Sequence, residues 1–280
     1  MISVIICSRG QFSNEKKINI EETIGVNYEI ILIDNSENSY SIFEAYNIGI
    51  KKSKGDYLCF MHDDVFMHTN NWGTILQNIF NKDPQIGLIG IAGSRVKSKM
   101  PSAWWDCNKE EFQINIIQHY KDEDKRKLDF GFKENSLVEV AAIDGVFMVM
   151  KKQNNIFFNE KLSGFHNYDL NISFEHIKKG LKVVVTNEIL LEHFSIGKLN
   201  KSWYKSTYKL HRLYSNILPI NKTNFPQENS SLELKNGVDF IYNAIQLKEF
   251  KVACKSWMRF FFTYPFSKHH FKLIKRIVLK

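Results

Sequence analysis

Short apolar runs alternate with polar segments along the first two thirds of the chain, which has 280 residues. Because each run is almost unbroken, it is typical of a strand that is covered on both faces. The predicted strands are 2–7, 28–33, 57–61, 86–92, 138–150 and 181–186.

Helical patterns fill several of the segments between these strands. Ser41 and Glu44 form a capping-box pattern, and an apolar face with helical spacing begins at Trp72. A further helix is predicted over 168–179, with Gly180 as its C-cap. Strands that alternate with helices predict the α/β class, with a Rossmann-like, mostly parallel central sheet and flanking helices.

The last part of the chain has a different pattern. Residues 219–235 are polar and contain two prolines, which predicts a linker between a domain over 1–218 and a helical extension over 236–280. Apolar residues recur in this extension at helical spacing. They are Phe250, Ala253, Cys254, Trp257, Phe261 and Tyr264, followed by Phe271, Ile274 and Val278.

The net charge of +8 is concentrated in the same extension. Residues 248–280 contain nine Lys or Arg and one Glu, so the rest of the chain is neutral. Basic and aromatic residues on one helix favour a helix that lies on an anionic membrane surface. A helical pair packed on the body or on a second subunit is the alternative, which leaves a homodimer open.

Composition limits the class of protein. A hydrophobic content of 44% supports a large core and excludes a disordered chain. The four cysteines include no C-x-x-C pair, so we expect neither a zinc site nor disulfides, and a reducing cytosol fits best. The N-terminal apolar run is short enough to be a strand instead of a signal peptide, and no window approaches the roughly 18 apolar residues of a membrane span.

Carboxylates follow the predicted strands. Asp34 closes the second strand, Asp63 and Asp64 close the third, and Asp144 interrupts a later one. A lone Asp in such a place is more often a cap or a solvated side chain. Ligands of parallel sheets bind beyond the carboxyl ends of the strands, so several carboxylates there predict a site for Mg²⁺ or Mn²⁺ that holds a diphosphate.

The sequence resembles the family-2-type nucleotide-sugar glycosyltransferases with the GT-A fold, including those that build bacterial surface glycans. The resemblance covers about residues 1–205 and depends on the order of several motifs. They are IICSRG, ILIDNS, EAYNIGIKKSKGDYLCFMHDDV, DGVFMVMKK, SGFHNYDLNISFEHIKKG and LLEHFSIG.

The resemblance implies a role for each motif residue. Asp169 would be the catalytic base, and Asp64 and His193 would bind the metal. The residues implied in binding the nucleotide-sugar are Ser8, Asp34, Asn47, His62, Asp63 and Lys198.

Two positions depart from the family pattern. His62 stands where the Asp-x-Asp-like motif usually begins with Asp, and Tyr168 stands where Glu is common. Asp144, Trp104 and Trp105 are candidates for the acceptor side, where exposed indoles stack on sugar rings, although buried core is an equal alternative for the tryptophans.

The expected function is that of an inverting, metal-dependent glycosyltransferase with UDP as the nucleotide. Its acceptor would be a surface glycan on a lipid carrier, reached at the cytoplasmic face of the membrane. Two alternatives stay open: a catalytically silent sugar-nucleotide-binding relative, and a nucleic-acid-binding protein that uses the basic extension. We expect no nucleic-acid partner, because the extension contains no recognised module and the remaining chain is neutral.

Overall fold

The computed structural model describes residues 1–121, 123–132, 136–197, 199–223 and 229–278. Its helices are α1 (Asn14–Ile24), α2 (Ile42–Lys52), α3 (Trp72–Lys82), α4 (Tyr168–Lys178), α5 (Lys201–Leu213), α6 (Asn229–Gln246), α7 (Phe250–Thr263) and α8 (His269–Val278). Its strands are β1 (Ile2–Ser8), β2 (Tyr28–Asp34), β3 (Tyr57–Met61), β4 (Val65–Met67), β5 (Ile86–Gly90), β6 (Ala92–Ser94), β7 (Val96–Lys97), β8 (Phe112–Tyr120), β9 (Glu123–Phe130), β10 (Leu137–Glu139), β11 (Ala142–Ile143), β12 (Phe147–Lys151), β13 (Lys182–Thr186), β14 (Leu191–His193) and β15 (Ile220–Asn221).

The central sheet has the strand order β10-β13-β5-β12-β3-β1-β2 in the described part of the chain. β1 pairs in parallel with β2 and β3, and β13 pairs in parallel with β5. β12 is antiparallel to both β3 and β5, so the sheet is mixed at its centre. The strands β1, β3 and β5 are buried because helices cover the sheet, as the unbroken apolar runs predict, whereas β2 at the edge is partly exposed.

Local signals set the helix boundaries near the site. Ser41 and Glu44 make both hydrogen bonds of the capping box at the start of α2. The C-cap of α4 is Lys179, one residue before the predicted Gly180, which follows it in the left-handed region with φ 73°. The N-cap residue of α4 is Asn167, also with positive φ, so Tyr168 and Asp169 occupy the first turn of this helix.

A second sheet lies beside the first and carries part of the site. Its strand order is β11-β6-β8-β14-β4, with β9 paired to β8, among the residues described. The β8–β9 hairpin was not predicted, because the charged run over 121–127 indicates only a solvated surface. Residues 124–127 of that run are exposed in the structure, but they belong to an edge strand that pairs with β8.

The helical extension packs on the body through a core of its own. This core combines side chains of α6, α7 and α8 with Met100, Ala103, Trp203 and Tyr204. The predicted linker differs from the structure: Ile220–Asn221 pair with β7, and residues 229–235 already belong to α6. Within the described residues no helix has the length and apolarity to cross a bilayer.

Candidate active site

The carboxyl end of β3 and the β4–β14 pair bring three side chains together. His62 follows β3, and its backbone N–H donates to the carbonyl of Val146 at 3.1 Å. β14 runs antiparallel to β4 with His193 opposite Val65, and the N–H of Phe194 donates to the carbonyl of Asp64 at 3.1 Å. The pairing of two short strands thus places His193 next to Asp64, although 129 positions separate them in sequence.

These three residues, His62, Asp64 and His193, form a compact group that we call the His193 cluster. Asp64 Oδ1 lies 3.4 Å from His193 Nε2 and 3.9 Å from His62 Nδ1, and the two imidazole nitrogens are 3.1 Å apart. One ligand atom from each residue lies within 4.8 Å of the other two. Two imidazoles and a carboxylate suit a divalent transition ion such as Mn²⁺, so the residues fit the cation that the sequence predicts.

Gln118 on β8 sets the orientation of His193. The side-chain amide of Gln118 donates to the carbonyl of Ser195 at 2.8 Å, which leaves its Oε1 to accept from His193 Nδ1 at 3.0 Å. In the neutral ring the proton therefore sits on Nδ1, and the lone pair of Nε2 faces Asp64 and His62. This is the arrangement that a metal-ligating histidine needs.

Tyr168 contacts the other histidine. Its hydroxyl lies 2.5 Å from His62 Nε2. Gly145 makes room for the ring, since a Cβ at this position would lie 2.5 Å from the Tyr168 hydroxyl oxygen. The two departures from the family pattern, His62 and Tyr168, are therefore direct neighbours in space.

The environment of Asp64 favours its ionised form. Burial raises the pKa of this carboxyl group, but a hydrogen bond from Ser195 and, when the His193 ring is also protonated on Nε2, one from His193 outweigh the burial and hold the pKa well below its usual range. A carboxylate that stays charged is a suitable hard ligand for a cation.

Asp63 does not join this group. Its carboxylate accepts a hydrogen bond from the Ser8 hydroxyl, and its carbonyl accepts one from the Lys16 ammonium. Asp63 thereby links the end of β3 to the end of β1. Ser8 in turn lies opposite Asp34 in the β1–β2 register, and Asp34 is exposed with a lowered pKa because the Ser36 backbone N–H donates to it. Ser8, Asp34 and Asp63, three of the six residues predicted to contact the nucleotide-sugar, thus line one edge of the sheet.

Asp169 occupies the first turn of α4 and is partly buried. Burial and the neighbouring charge of Asp144 raise its pKa to about 7. The alternative of a plain helix N-cap does not describe it, because Asn167 holds that position. A carboxylate with a pKa near neutrality can accept a proton from a hydroxyl group and release it again.

Trp104 is buried, at 7% exposure, and its indole N–H donates to Asp144 Oδ2 at 2.9 Å. The backbone N–H of Val146 donates to Asp144 Oδ1 at 2.8 Å, so both oxygens are engaged. Trp104 therefore orients Asp144 and has no free face for a sugar ring, whereas Trp105 is 40% exposed and keeps that possibility.

The structure gives Asn47 a different role from the predicted one. Its buried side chain donates to the carbonyl of Phe158 at 2.8 Å and accepts from the Phe158 N–H at 2.9 Å. Asn47 thus anchors a loop and has no amide atom left for a nucleotide. Lys198 lies outside the described residues.

Sequence reasoning missed the residues that orient the histidines. Gln118 lies in the run 112–120, where apolar and polar residues alternate, and this alternation would have indicated a strand. Tyr168 was recognised only as a departure. The contribution of Lys16 and Ser195 leaves no recognisable signal in the sequence.

Comparisons with known proteins bear on this geometry. The model of the family described as "Glycosyltransferase like family" matches residues 3–215. No curated protein sequence matches the chain significantly.

Two solved structures are similar in fold. GalNAc-T7, solved with UDP, GalNAc and Mn²⁺, has a TM-score of 0.52 and 14% identity, and the alignment covers 85% of this chain and 54% of GalNAc-T7. Residues 1–349 of S. aureus TarS, solved with UDP-GlcNAc, have a TM-score of 0.52 and 11% identity, with 86% and 80% of the two chains covered. The chain thus spans about half of the GalNAc-T7 structure. The chain has the GT-A fold and belongs to the glycosyltransferase-like family of the family-2 type.

Proposed function

We propose that this protein transfers a sugar from a UDP-sugar to a hydroxyl group of a glycan, with inversion at the anomeric carbon and with a divalent cation bound by the His193 cluster. The observation that carries the proposal is the convergence of His62, Asp64 and His193 beside the nucleotide edge of the sheet. The two solved structures of similar fold contain UDP or a UDP-sugar, and one also contains Mn²⁺, which supports the choice of nucleotide and cation.

His62, Asp64 and His193 would hold Mn²⁺ or Mg²⁺, and their nitrogen atoms favour Mn²⁺. When bound, such a cation neutralises charge that develops on a departing diphosphate. Gln118 and Tyr168 keep the imidazole rings oriented, so the site is formed in advance. Asp34 and Ser8 lie where the nucleoside would extend along the sheet edge.

Asp169 acts as the base. Its carboxylate takes the proton of the acceptor hydroxyl while the hydroxyl oxygen forms a bond to the anomeric carbon and the bond to the diphosphate breaks. Burial and the neighbouring charge of Asp144 keep the pKa of Asp169 high, because both disfavour its ionised form. A single displacement of this kind inverts the anomeric centre.

The acceptor side includes Trp105, whose exposed indole suits stacking on a sugar ring. We place the acceptor among surface glycans that are assembled on a lipid carrier, with the protein peripheral to the cytoplasmic face of the membrane. The basic and aromatic helical extension supports this placement.

Donor binding tests the proposal directly. Isothermal titration with UDP, GDP and a panel of UDP-sugars, each with Mn²⁺, Mg²⁺ or EDTA, should give tight binding of UDP compounds with Mn²⁺ and loss of binding in EDTA. Product stereochemistry by NMR should show the inverted anomer. Absence of metal-dependent UDP binding would exclude the proposal, and tight binding without any transfer or donor hydrolysis would favour a silent relative.

Asp169→Asn tests the base. This variant should bind UDP with Mn²⁺ as the wild type does, while turnover falls by about 10² to 10⁴ fold. The matched control is Asp83→Asn, which removes the charge of a partly exposed carboxylate that pairs with Lys182 just after the end of α3. Equal turnover in wild type and Asp169→Asn would remove Asp169 from the reaction.

The pH profile provides an independent check. Because the base must be deprotonated and its pKa is about 7, kcat/KM should rise about tenfold per pH unit below neutrality and level off above it. Asp169→Asn should lack this rise. A wild-type profile that is flat between about pH 5 and 7 would contradict the assignment.

A further inference from the structure

The helices α7 and α8 each have two apolar faces. The inner face of α7, with Val252, Ala253 and Phe260, is buried in the core that joins the extension to the body. Leu273 and His270 of α8 are buried on the same side. The extension therefore packs on the body, which is one of the two arrangements considered for the sequence. Other aromatic residues of α7 and α8 stay exposed.

The outer residues collect where α7 turns into α8. We call Phe261, Phe262, Phe266 and Phe271 the phenylalanine corner. Phe262, Phe266 and Phe271 are 83%, 101% and 78% exposed, whereas no other large apolar side chain of the described residues exceeds 51%. The Phe261 and Phe262 rings lie 6.0 Å apart, and the other two follow within ten residues. Exposed aromatic side chains grouped in this way are typical of an interaction surface, because contact with water is unfavourable for them.

Positive charge surrounds the corner. Lys268, Lys272 and Lys275 are exposed beside it, and no ion pair of the described residues includes them. Residues 250–280 contain no Asp or Glu at all. The segment that forms the corner therefore combines exposed aromatic rings with basic side chains and contains no acidic residue.

Hydrogen bonds hold the corner in shape. The Trp257 indole N–H donates to His270 Nδ1 at 3.0 Å, and His270 Nε2 lies 2.7 Å from the carbonyl of Tyr264. The Phe261 ring packs on His270 with 5.1 Å between centroids. The corner does not need to fold on contact with a partner.

We propose that the phenylalanine corner and its three lysines dock on an anionic lipid membrane. Phenylalanine rings enter the boundary between headgroups and acyl chains, while lysines attract anionic headgroups. Charge complementarity selects lipid over a second copy of the chain, because two such corners would bring their lysines together. The membrane-facing residues differ from those that the sequence predicts. Ala253 is buried, and Cys254, Trp257 and Tyr264 are not part of the corner.

The extension is tied to the acceptor side of the site. The Glu233 carboxylate of α6 accepts from the backbone N–H groups of Lys99 and Met100, and Asn236 Nδ2 donates to the carbonyl of Asp106 at 2.8 Å. The loop held in this way contains Trp104 and Trp105. Docking of the corner therefore fixes the acceptor side of the protein relative to the membrane.

Vesicle binding by the full chain tests the proposal. A truncation would expose the core beneath α7 and α8, so point variants are used. Co-sedimentation is measured with neutral phosphatidylcholine vesicles and with vesicles that contain phosphatidylglycerol. The variants are Phe262→Ser/Phe266→Ser/Phe271→Ser and Lys268→Gln/Lys272→Gln/Lys275→Gln, with Ile18→Ser/Phe130→Ser/Phe157→Ser as a control for exposed apolar residues elsewhere.

The wild type and the control should bind anionic vesicles and bind neutral ones far less. The phenylalanine variant should lose about tenfold in partitioning per ring, and the lysine variant about fivefold per charge. Thermal unfolding and Mn²⁺-dependent UDP binding should be equal in all four proteins, so the outcome does not depend on the proposed enzymatic function. No binding by the wild type, or equal loss in the control, overturns the proposal. A wild-type dimer in analytical ultracentrifugation that only the phenylalanine variant dissociates, without vesicle binding, assigns the corner to a second copy instead.

Discussion

Two neighbouring residues of β14, Glu192 and His193, each join a group of histidines and carboxylates, but the two groups are built differently. Successive side chains of a strand point to opposite faces, so Glu192 and His193 meet different partners. In the His193 cluster, the His193 lone pair faces the carboxylate of Asp64, and the proton of the ring is held by Gln118. The potential ligand atoms of His62, Asp64 and His193 therefore lie within 4.8 Å of one another.

The other group, which we call the Glu192 cluster, consists of His68, His119, Lys125 and Glu192. Glu192 Oε2 lies 2.8 Å from His68 Nε2, and Oε1 lies 2.5 Å from His119 Nε2 and 3.0 Å from the Lys125 ammonium. Both carboxylate oxygens are thus occupied by donors. The group is a network of an ion pair and hydrogen bonds around the buried Glu192 carboxylate, and among the described residues only the His193 cluster has metal-binding geometry.

The comparison teaches that two histidines and a carboxylate do not make a metal site by themselves. A metal site also requires a third group that accepts a hydrogen bond from the ring N–H, so that the lone pair of the other ring nitrogen faces the metal position. Gln118 and Tyr168 accept this hydrogen bond in the His193 cluster. In the Glu192 cluster the carboxylate of Glu192 itself accepts it.

The largest effect is expected for Asp64→Ala. Removal of a charged ligand should weaken Mn²⁺ binding by more than about 100-fold, because changes to groups that only orient the ligands cost about 10- to 100-fold. Mn²⁺ titration calorimetry with and without UDP measures this. Asp63→Ala, whose carboxylate bonds Ser8, should have a much smaller effect. Equal Mn²⁺ affinities of wild type and Asp64→Ala would show that the His193 cluster does not bind the cation and does not differ from the Glu192 cluster in this respect.

Tyr168→Phe should have the next largest effect. Loss of the hydroxyl group that holds His62 Nε2 should lower Mn²⁺ affinity by about tenfold, while the fold is kept because the ring remains. In the variant His62→Asp, the substitution Tyr168→Phe should lower Mn²⁺ affinity little further, since the imidazole N–H that Tyr168 orients is absent. Additive losses in this double-mutant cycle would show that Tyr168 acts on stability alone.

Glu192→Gln should leave the metal site intact. The variant keeps the shape of the side chain but loses its charge, so Mn²⁺ affinity should stay within about twofold while the free energy of unfolding falls by about 1–3 kcal/mol. Urea denaturation and Mn²⁺ titration of the same samples separate the two quantities. A loss of Mn²⁺ affinity like that of Asp64→Ala would mean that the Glu192 cluster also supports the cation.

The smallest effect is the pH dependence of this stability difference. Burial raises the pKa of Glu192, but hydrogen bonds from His119, His68 and Lys125 outweigh it and lower the pKa from its ordinary 4.5 to about 2. A depressed pKa stabilises the fold above about pH 4.5, and the contribution is lost as the pH falls through about 2. The stability difference between wild type and Glu192→Gln should therefore shrink across this interval, and a constant difference would argue against the ion-pair network.

Much of the fold could be predicted from local signals. The predicted strands 2–7, 28–33 and 57–61 correspond to β1, β2 and β3, and the capping box of α2 is formed as expected. Helix α1, by contrast, is not predicted from the sequence, and this has a physical reason. Helix α1 buries Asn19 and Thr23, whose polar groups are satisfied by Met67 and Trp72, so its buried face does not have an apolar pattern.

The sequence by itself determined the strands β1, β2, β3, β5 and β13, the helices α2, α3 and α4, the family and the placement of Asp64, Asp144 and Asp169 near strand ends or a helix start, because these depend on local periodicity and short motifs. Only the tertiary structure decided that His62 and Tyr168 are partners, that Trp104 orients Asp144, and which phenylalanines stay outside. Contacts between residues far apart in sequence depend on how the sheets and helices pack, and a helix with two apolar faces does not indicate from its spacing which of them the core will cover.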